Sequence, residues 1–279
     1  MDRFLNRAAL KTETDRQQDG SYPQKSWRLC TVQEVEDLKE VIKILPLWSS
    51  SILLSITIAI LNSFTTVQAL TMDRHLGSIK VSAGTFLVFS LVSTALSIFV
   101  IDNFLLPLWC RMRGGRPITP LQRIGTGHVV NVLAMVGSAL VEAKRLNRVR
   151  AAGLVHQPGS VAPISAFWLI LGLAIVGFGE GFHFPGQVSL YYQEFPKSLK
   201  STSTAMISLL IGLGYYLSAV FTDFVDRTTG WLPNNINEGR LDKVFWLCAI
   251  IGTANFGYYL VCSWLYKYKH DPNADDNYD

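Results

Sequence analysis

Six long stretches of this sequence contain no Asp, Glu, Lys or Arg. They are Ile44–Met72, Val81–Ile101, Ile124–Val141, Ala151–Gly179, Ser201–Thr222 and Val244–Tyr266. Each is close to or above the roughly 20 residues that an α-helix needs to cross the hydrocarbon core of a bilayer. The backbone must satisfy its own hydrogen bonds in lipid, which helices do within one segment. The sequence therefore predicts an all-α integral membrane protein whose six transmembrane helices form one bundle.

The composition agrees with a membrane protein and argues against an enzyme. Only 16% of the residues are charged, against about 25% in a soluble domain. The four cysteines are widely spaced and form no CxxC pair, so we expect reduced thiols and no metal site. The glycines around Glu180 follow no strand, which excludes a nucleotide-binding loop. No catalytic residue, cofactor, metal or nucleic-acid partner is expected.

The distribution of Lys and Arg predicts the orientation in the membrane. With six spans both termini lie on one side, and that side carries sixteen of these residues against nine on the other. Since basic residues are enriched on the cytoplasmic side, both termini are expected to be cytoplasmic, with the plasma membrane as the location. The basic stretch Lys144–Arg150 falls on the opposite side. The charged N-terminal segment has no apolar signal region, so the first helix is expected to direct insertion.

Glu180 is the leading candidate for a functional residue. It is the carboxylate within the apolar run from Pro163 to Gln193, and an ionisable group at that depth usually faces a polar cavity. Nearby glycines and Pro185 are expected to weaken the helix there. His183 follows three residues later, a spacing at which the two groups could exchange protons. The alternative is that Glu180 merely pairs with a cation from elsewhere in the protein and stabilises the fold.

Three further polar residues are candidates for the same substrate and proton site. Asn62 lies towards the far end of the first span, Gln187 follows His183, and Tyr215 lies in the fifth span. Before the first span, Thr31-Val32-Gln33-Glu34 has the pattern of a capping box and predicts the start of a helix.

Several motifs resemble the C-terminal half of a plant nitrate/peptide transporter, in the proton-coupled oligopeptide branch of the major facilitator superfamily. The matching motifs are FLNRAAL, WRLCTVQEVEDLK, ILPLW, LTMDRHLG, PLQRIGTGH, GFGEGFHFPGQ and INEGRLDKVFWL. LTMDRHLG and WRLCTVQEVEDLK are most similar to the nitrate excretion transporter subgroup. The resemblance implies a cytoplasmic central-loop remnant at 1–33, helices seven to twelve at 34–268, and a disordered cytoplasmic tail at 269–279.

The resemblance also implies a function. Such transporters carry substrates by alternating access between two six-helix halves, and the ExxER-type proton-coupling motif of the first half has no counterpart here. Glu180 matches the glutamate that recognises the peptide amino terminus in peptide members, whereas Phe184 replaces a serine and Ile58 replaces a nitrate-binding histidine. Phe184 argues against a peptide substrate, and with Ile58 the histidine-mediated binding of nitrate cannot be transferred. The resemblance still implies proton-linked secondary transport of nitrate or a similar small anion or solute.

Two interpretations of the chain follow from the resemblance. In the first, it transports together with an N-terminal six-helix half, with substrate, protons and membrane lipids as its other partners. In the second, it is a non-transporting truncated membrane protein that pairs with or regulates a full-length relative.

Overall fold

The computed structural model describes residues 31–196 and 199–268. Within these ranges, six helical segments are long and apolar enough to cross a membrane. They are Val32–Leu70, Ala83–Met112, Pro120–Ala151, Ala166–Glu194, Lys200–Thr229 and Leu241–Leu265. The prediction of six transmembrane helices is therefore confirmed. The segments at 1–30 and 269–279, for which a cytoplasmic loop and tail were predicted, lie outside the described residues.

The first helix, α1 (Val32–Leu70), begins where the capping box predicts. Thr31 Oγ1 accepts a hydrogen bond from the backbone N–H of Glu34 at 3.2 Å, and the Glu34 carboxylate accepts one from the Thr31 N–H at 2.8 Å. These side chains satisfy amides that the first helical turn leaves unpaired. Pro46 lies inside α1 without ending it.

The second span contains a widened turn. It consists of a 3₁₀ turn (Ala83–Thr85), α2 (Phe86–Val100), a π-helical turn (Ile101–Leu105) and α3 (Leu106–Met112). Pro107 has no N–H to donate one turn back, which is a local reason for the irregular hydrogen bonding. The helix continues past the predicted boundary at Ile101, where the uncharged run stops because Asp102 follows.

The remaining spans are α4 (Pro120–Ala151), α5 (Leu169–Glu194, preceded by a 3₁₀ turn), α6 (Lys200–Thr229) and α7 (Leu241–Leu265). The prediction of a helix from Ala151 was wrong, because α4 ends there and turns follow. Gly153 and Gly159 adopt left-handed φ angles of 68° and 76° in this connection, which glycine tolerates without steric cost. Apolar character alone did not distinguish this connection from a membrane span.

Short strands and loops join the spans at one end of the bundle. β1 (Met72–Asp73) pairs in parallel with β4 (Ala162–Ser165), and β2 (His75–Leu76) forms a hairpin with β3 (Ile79–Lys80). At the opposite end, α1 packs beside the residues that follow α7, with Val41, Tyr266 and Tyr268 in one cluster. The two ends of the described chain therefore lie on the same side of the bundle.

The core of the bundle is apolar, but the second span and α6 remain largely uncovered. The largest buried cluster contains residues from five helices, including Leu54, Met135, Val176, Val225 and Phe245. By contrast, α6 exposes a row of large side chains on its outer face. These are Tyr216 (79% exposed), Val220 (66%) and Phe224 (63%). This face is available for contact with lipid or with another helical unit.

Candidate functional site

Glu180 lies near the middle of the fourth span and is held by a neighbouring helix. Thr94 Oγ1 of α2 donates a hydrogen bond to Glu180 Oε2 at 2.7 Å. The side chain is partly buried, and no ion pair in the described part of the chain includes it. A carboxylate has room for several hydrogen-bond donors, so Glu180 retains the capacity to bind a proton or a substrate donor.

Glycines bring α2 close enough for this contact. A Cβ atom on Gly177 would lie 2.8 Å from the Ser93 side chain, and one on Gly181 would lie 2.9 Å from Ser97 Cβ. Despite these glycines and Pro185, α5 is a continuous helix from Leu169 to Glu194. The expected weakening of the helix does not appear as irregular backbone, because the glycines here provide close helix packing.

His183 lies on the side of α5 that faces α4 and is fully buried. Its ring centroid is 5.3 Å from that of His128, whose ring in turn stacks on Tyr259 at 4.7 Å. Gly127 permits the approach, since a Cβ there would lie 2.7 Å from His183 Cβ. Neither ring nitrogen of His183 has a hydrogen-bond partner of good geometry, although the Ile124 backbone approaches the ring. The contacts of His183 are therefore with α4 and not with Glu180.

The other three candidates form two separate contacts. Gln187 is fully buried and donates a hydrogen bond from Nε2 to the Tyr191 hydroxyl at 2.8 Å. Asn62 Nδ2 of α1 lies 3.5 Å from the Tyr215 hydroxyl of α6, at the limit of a hydrogen bond. Tyr215 is half exposed, so the Asn62–Tyr215 contact can reach a solute at the surface of this bundle. Gln187 and His183 are enclosed by protein.

Arg123 connects three spans close to Glu180. Its Nη2 atom donates to Asp102 Oδ1 in the π-helical turn at 2.7 Å and to the carbonyl oxygen of Gly181 at 3.3 Å. In a regular α-helix that carbonyl would accept the N–H of residue 185, but Pro185 has none. Arg123 therefore supplies the donor that the proline removes, one residue from Glu180.

A second buried charge network lies at the end of the bundle that carries β1 and β4. Arg145 forms two hydrogen bonds with Glu142, at 2.8 and 2.7 Å, and both side chains are fully buried. Arg145 also donates to Asn237 Oδ1 at 2.6 Å, and Gln68 donates to Glu142 at 2.6 Å. The network ties α1, α4 and the connection before α7 together.

The structure thus places Glu180, Asn62 and Tyr215 where they are at least partly accessible, and His183 and Gln187 inside the protein. Thr94, Arg123 and the Glu142–Arg145 pair were not predicted from the sequence as parts of a site. Pro185 was a usable signal for Arg123, because a proline inside a helix leaves a carbonyl oxygen without its usual donor. Within residues 31–196 and 199–268, no cluster of three or more His, Cys, Asp or Glu could hold a metal ion.

Comparison with protein families gives one match that covers most of the chain. Residues 4–238 match the model PTR2, described as the POT family. Two similar Arabidopsis thaliana proteins are Protein NRT1/ PTR FAMILY 2.6, 49% identical over 99% of this chain, and Protein NRT1/ PTR FAMILY 2.7, 50% identical over 98%. The matched region is 49% of either relative. The chain spans about half the length of these curated relatives.

Solved structures share the fold at low sequence identity. A crystal structure of an auto-inhibited POT family peptide transporter matches 87% of this chain with a TM-score of 0.62 and 18% identity, and the match covers 45% of that protein. The POT family transporter PepTSo matches 89% of this chain with a TM-score of 0.57 and 17% identity. The six-helix bundle therefore has the fold of half of such a transporter.

Proposed function

This chain belongs to the POT family, and from that membership we propose that it forms half of a secondary transporter for nitrate or a similar small anion or solute. Transport is coupled to protons and proceeds by alternating access between this bundle and a second six-helix half. A site between two such halves opens to either side of the membrane as one half rocks against the other.

Glu180 is the observation that carries this proposal. It lies in the middle of a span, its Thr94 contact is a neutral hydroxyl, and its side chain is only partly buried. A charged carboxylate is costly at that depth, so proton binding and release at Glu180 can be coupled to the passage of an anion. The structure leaves its carboxylate free of any ion pair among the described residues, which is the condition that such coupling requires.

The other accessible candidate residues favour a small solute with hydrogen-bond acceptors. Asn62 and Tyr215 offer an amide and a hydroxyl group, and a protonated Glu180 would add a donor. Phe184 contributes no hydroxyl where the resemblance puts a serine. We propose Glu180, Asn62 and Tyr215 as direct binding groups, and keep His183 and Gln187 as buried polar groups of the proposed site, of which His183 is the titratable one.

Isotope flux tests the proposal. The full chain is expressed with the preceding six-helix half of the 49% identical Arabidopsis relative, reconstituted in liposomes, and assayed for labelled nitrate and chloride under an imposed pH gradient. A hydrogen bond to a charged group contributes about 1.5–3 kcal/mol. Glu180→Gln should therefore lower proton-dependent flux by about tenfold or more without reducing the amount of protein in the membrane.

The matched control for that substitution is Glu238→Gln, which removes an exposed carboxylate outside the spans. It should leave flux unchanged. Unaltered flux and pH dependence in Glu180→Gln would refute the assignment of Glu180, and an absence of flux for every anion tested would refute the transport proposal.

A second function is favoured by the uncovered face of α6. This face, which exposes Tyr216, Val220 and Phe224, could pack against a helix of another protein in the membrane. The chain could then pair with a full-length relative and regulate it without transporting. Co-expression distinguishes the two. A regulator lowers the flux of the complete relative, whereas a transporter half restores flux to the relative's isolated first half.

We also propose that both ends of the chain are cytoplasmic and that the membrane is the plasma membrane. The Lys and Arg distribution supports the orientation, with residues 1–33 and 269–279 placed in the cytoplasm. A tag after Asp279 should be inaccessible to antibody until cells are permeabilised; labelling of intact cells would contradict the orientation. Co-sedimentation with another organelle would contradict the location.

A further inference from the structure

An open groove runs between the end of the second span, the start of α4 and the end of α7. A cavity of about 580 Å³ is lined by Trp109, Arg113, Thr126, Val129, Phe256 and Leu260, among others. A second cavity of about 260 Å³ shares Trp109 and Thr126 and continues past Leu108 and Met112. The walls are mostly apolar, and Trp109 lies between the two cavities.

The rim of this groove is positively charged without compensation. Arg113 lines the groove, Arg111 and Arg116 are exposed in the same turn, and the sequence contains no acidic residue between Asp102 and Glu142. None of the ion pairs in the described ranges includes any of these three arginines. The groove therefore combines an apolar trough with a cationic end.

Trp109 joins the two parts of the groove. The Arg113 guanidinium lies over its ring, with Cζ 4.8 Å from the centroid. Its indole Nε1 is enclosed yet has no acceptor in the structure. The Arg113 guanidinium, which forms no ion pair in the described ranges, is the group that suits an oxygen-rich anion. Tryptophan is also enriched at the level of lipid headgroups.

We propose that this groove binds one anionic glycerophospholipid. The phosphate lies at Arg113, with the exposed Arg116 three residues along the chain adding positive charge, and an acyl chain follows the wall formed by Val129, Phe256 and Leu260. Charge complementarity favours this occupant, because a lipid supplies both the negative group and the apolar chain that the trough accommodates. A free phosphate ion would use the arginines but leave the apolar wall uncovered.

The basic stretch Lys144–Arg150 differs from the groove in both charge pairing and apolar surroundings. Arg145 is neutralised internally by Glu142, and the Lys144 ammonium lies 3.6 Å from the centroid of the Trp168 ring. Arg148 and Arg150 are exposed, but no residue of the stretch Lys144–Arg150 lines the groove, whereas Arg113 of the other basic stretch does. Substitution of Arg148 and Arg150 therefore removes the same charge from a surface without the trough, and provides a matched control.

Native mass spectrometry of the purified full chain tests this site. Phosphatidylglycerol and phosphatidylcholine with identical acyl chains are titrated in detergent. The expected result is one phosphatidylglycerol retained about tenfold more tightly than phosphatidylcholine, in line with the contribution of basic residues to anionic lipid binding. Arg113→Gln with Arg116→Gln should abolish this preference, whereas Arg148→Gln with Arg150→Gln should preserve it.

Further measurements distinguish a phospholipid from other molecules that could fill the groove. Inorganic phosphate and the deacylated headgroup glycerophosphoglycerol should not displace the lipid at equal concentration, and Leu260→Asn should weaken both lipids. Displacement by either soluble anion would show an ion site and overturn the proposal. Equal retention of the two lipids, or equal loss in both double variants, would also overturn it. A lipid-free dimer that dissociates only in the Arg113→Gln/Arg116→Gln variant would overturn the proposal too, because a second copy of this chain would then fill the groove.

Discussion

The guanidinium of Arg123 lies 3.3 Å from the carbonyl oxygen of Gly181, which Pro185 leaves without its helical donor. The side chain comes from α4, whereas the acceptor belongs to α5. A hydrogen bond that is normally made within one helix is thus made between two. The backbone next to Glu180 consequently depends on a residue of another span.

Arg123→Met should therefore destabilise the bundle while keeping the aliphatic stem that packs on Gly186. The unpaired Gly181 carbonyl should cost about 1–3 kcal/mol, measured by thermal unfolding of the purified chain in detergent. Pro185→Ala restores an N–H, so the double variant should lose less than the sum of the two single effects. Arg227→Met breaks an exposed pair with Asp223 and should change stability little. If the stability losses of Arg123→Met and Pro185→Ala simply added in the double variant, the role assigned to Arg123 would be contradicted.

The Glu142–Arg145 network should be the most sensitive polar site at its end of the bundle. Glu142→Gln leaves the Arg145 charge buried without its counter-ion, a change that costs about 3–5 kcal/mol in comparable sites. We expect a large fall in the unfolding temperature and loss of the contacts between Arg145 and Asn237. Replacement of both residues by Met should be milder than Glu142→Gln alone. If Glu142→Gln left the unfolding temperature unchanged, this would show that water reaches the Glu142–Arg145 pair.

Gly127 and Gly212 should respond oppositely to alanine. A Cβ on Gly127 meets the backbone of Gly179 at 3.0 Å and His183 at 2.7 Å, so Gly127→Ala should separate α4 from α5 at a cost of about 1–3 kcal/mol. Gly212 has open space around it, and Gly212→Ala should be neutral or stabilise the helix by up to about 1 kcal/mol. Helix unfolding followed by circular dichroism measures both. Equal effects would contradict the close packing at Gly127.

The pKa of Asp73 should depend on His75. The His75 side chain, 2.6 Å from Asp73 Oδ1, and then its backbone N–H hold the pKa of the exposed carboxyl below its ordinary value of 3.8. A lowered pKa stabilises the hairpin region at pH values above 3.8, and this contribution is lost as the pH falls through the folded-state pKa. His75→Ala should raise the pKa of Asp73 part of the way, since the backbone donor remains. Carboxyl NMR titration measures the shift; an unchanged pKa would contradict it.

The helices of this fold were largely predictable from local patterns. The capping box at Thr31 and the uncharged runs identified the start of α1 and the number of spans, because both depend on neighbouring residues alone. The end of the second span was missed at Asp102, whose charge is compensated by Arg123 from another helix. Only the folded structure brings that partner into contact.

The candidate site was less predictable than the fold. Glu180 was found from its apolar surroundings, but Thr94 is one of many hydroxyl residues, and no local pattern marks it as the partner. Arg145 was counted as an outer basic residue, whereas it points into the protein and is paired with Glu142. One of the charges that opposed the predicted orientation is therefore neutralised by tertiary packing.

The length of α1 has a mechanical consequence. Its 39 residues extend for about 58 Å at 1.5 Å per residue, well beyond the roughly 30 Å of hydrocarbon in a bilayer. The charged turns between Val32 and Ile44 are therefore the part of α1 that exceeds this thickness, and residues 1–30 join the helix at its first turn. Any tilt of α1 within the bundle would be amplified into a larger displacement of that attachment point.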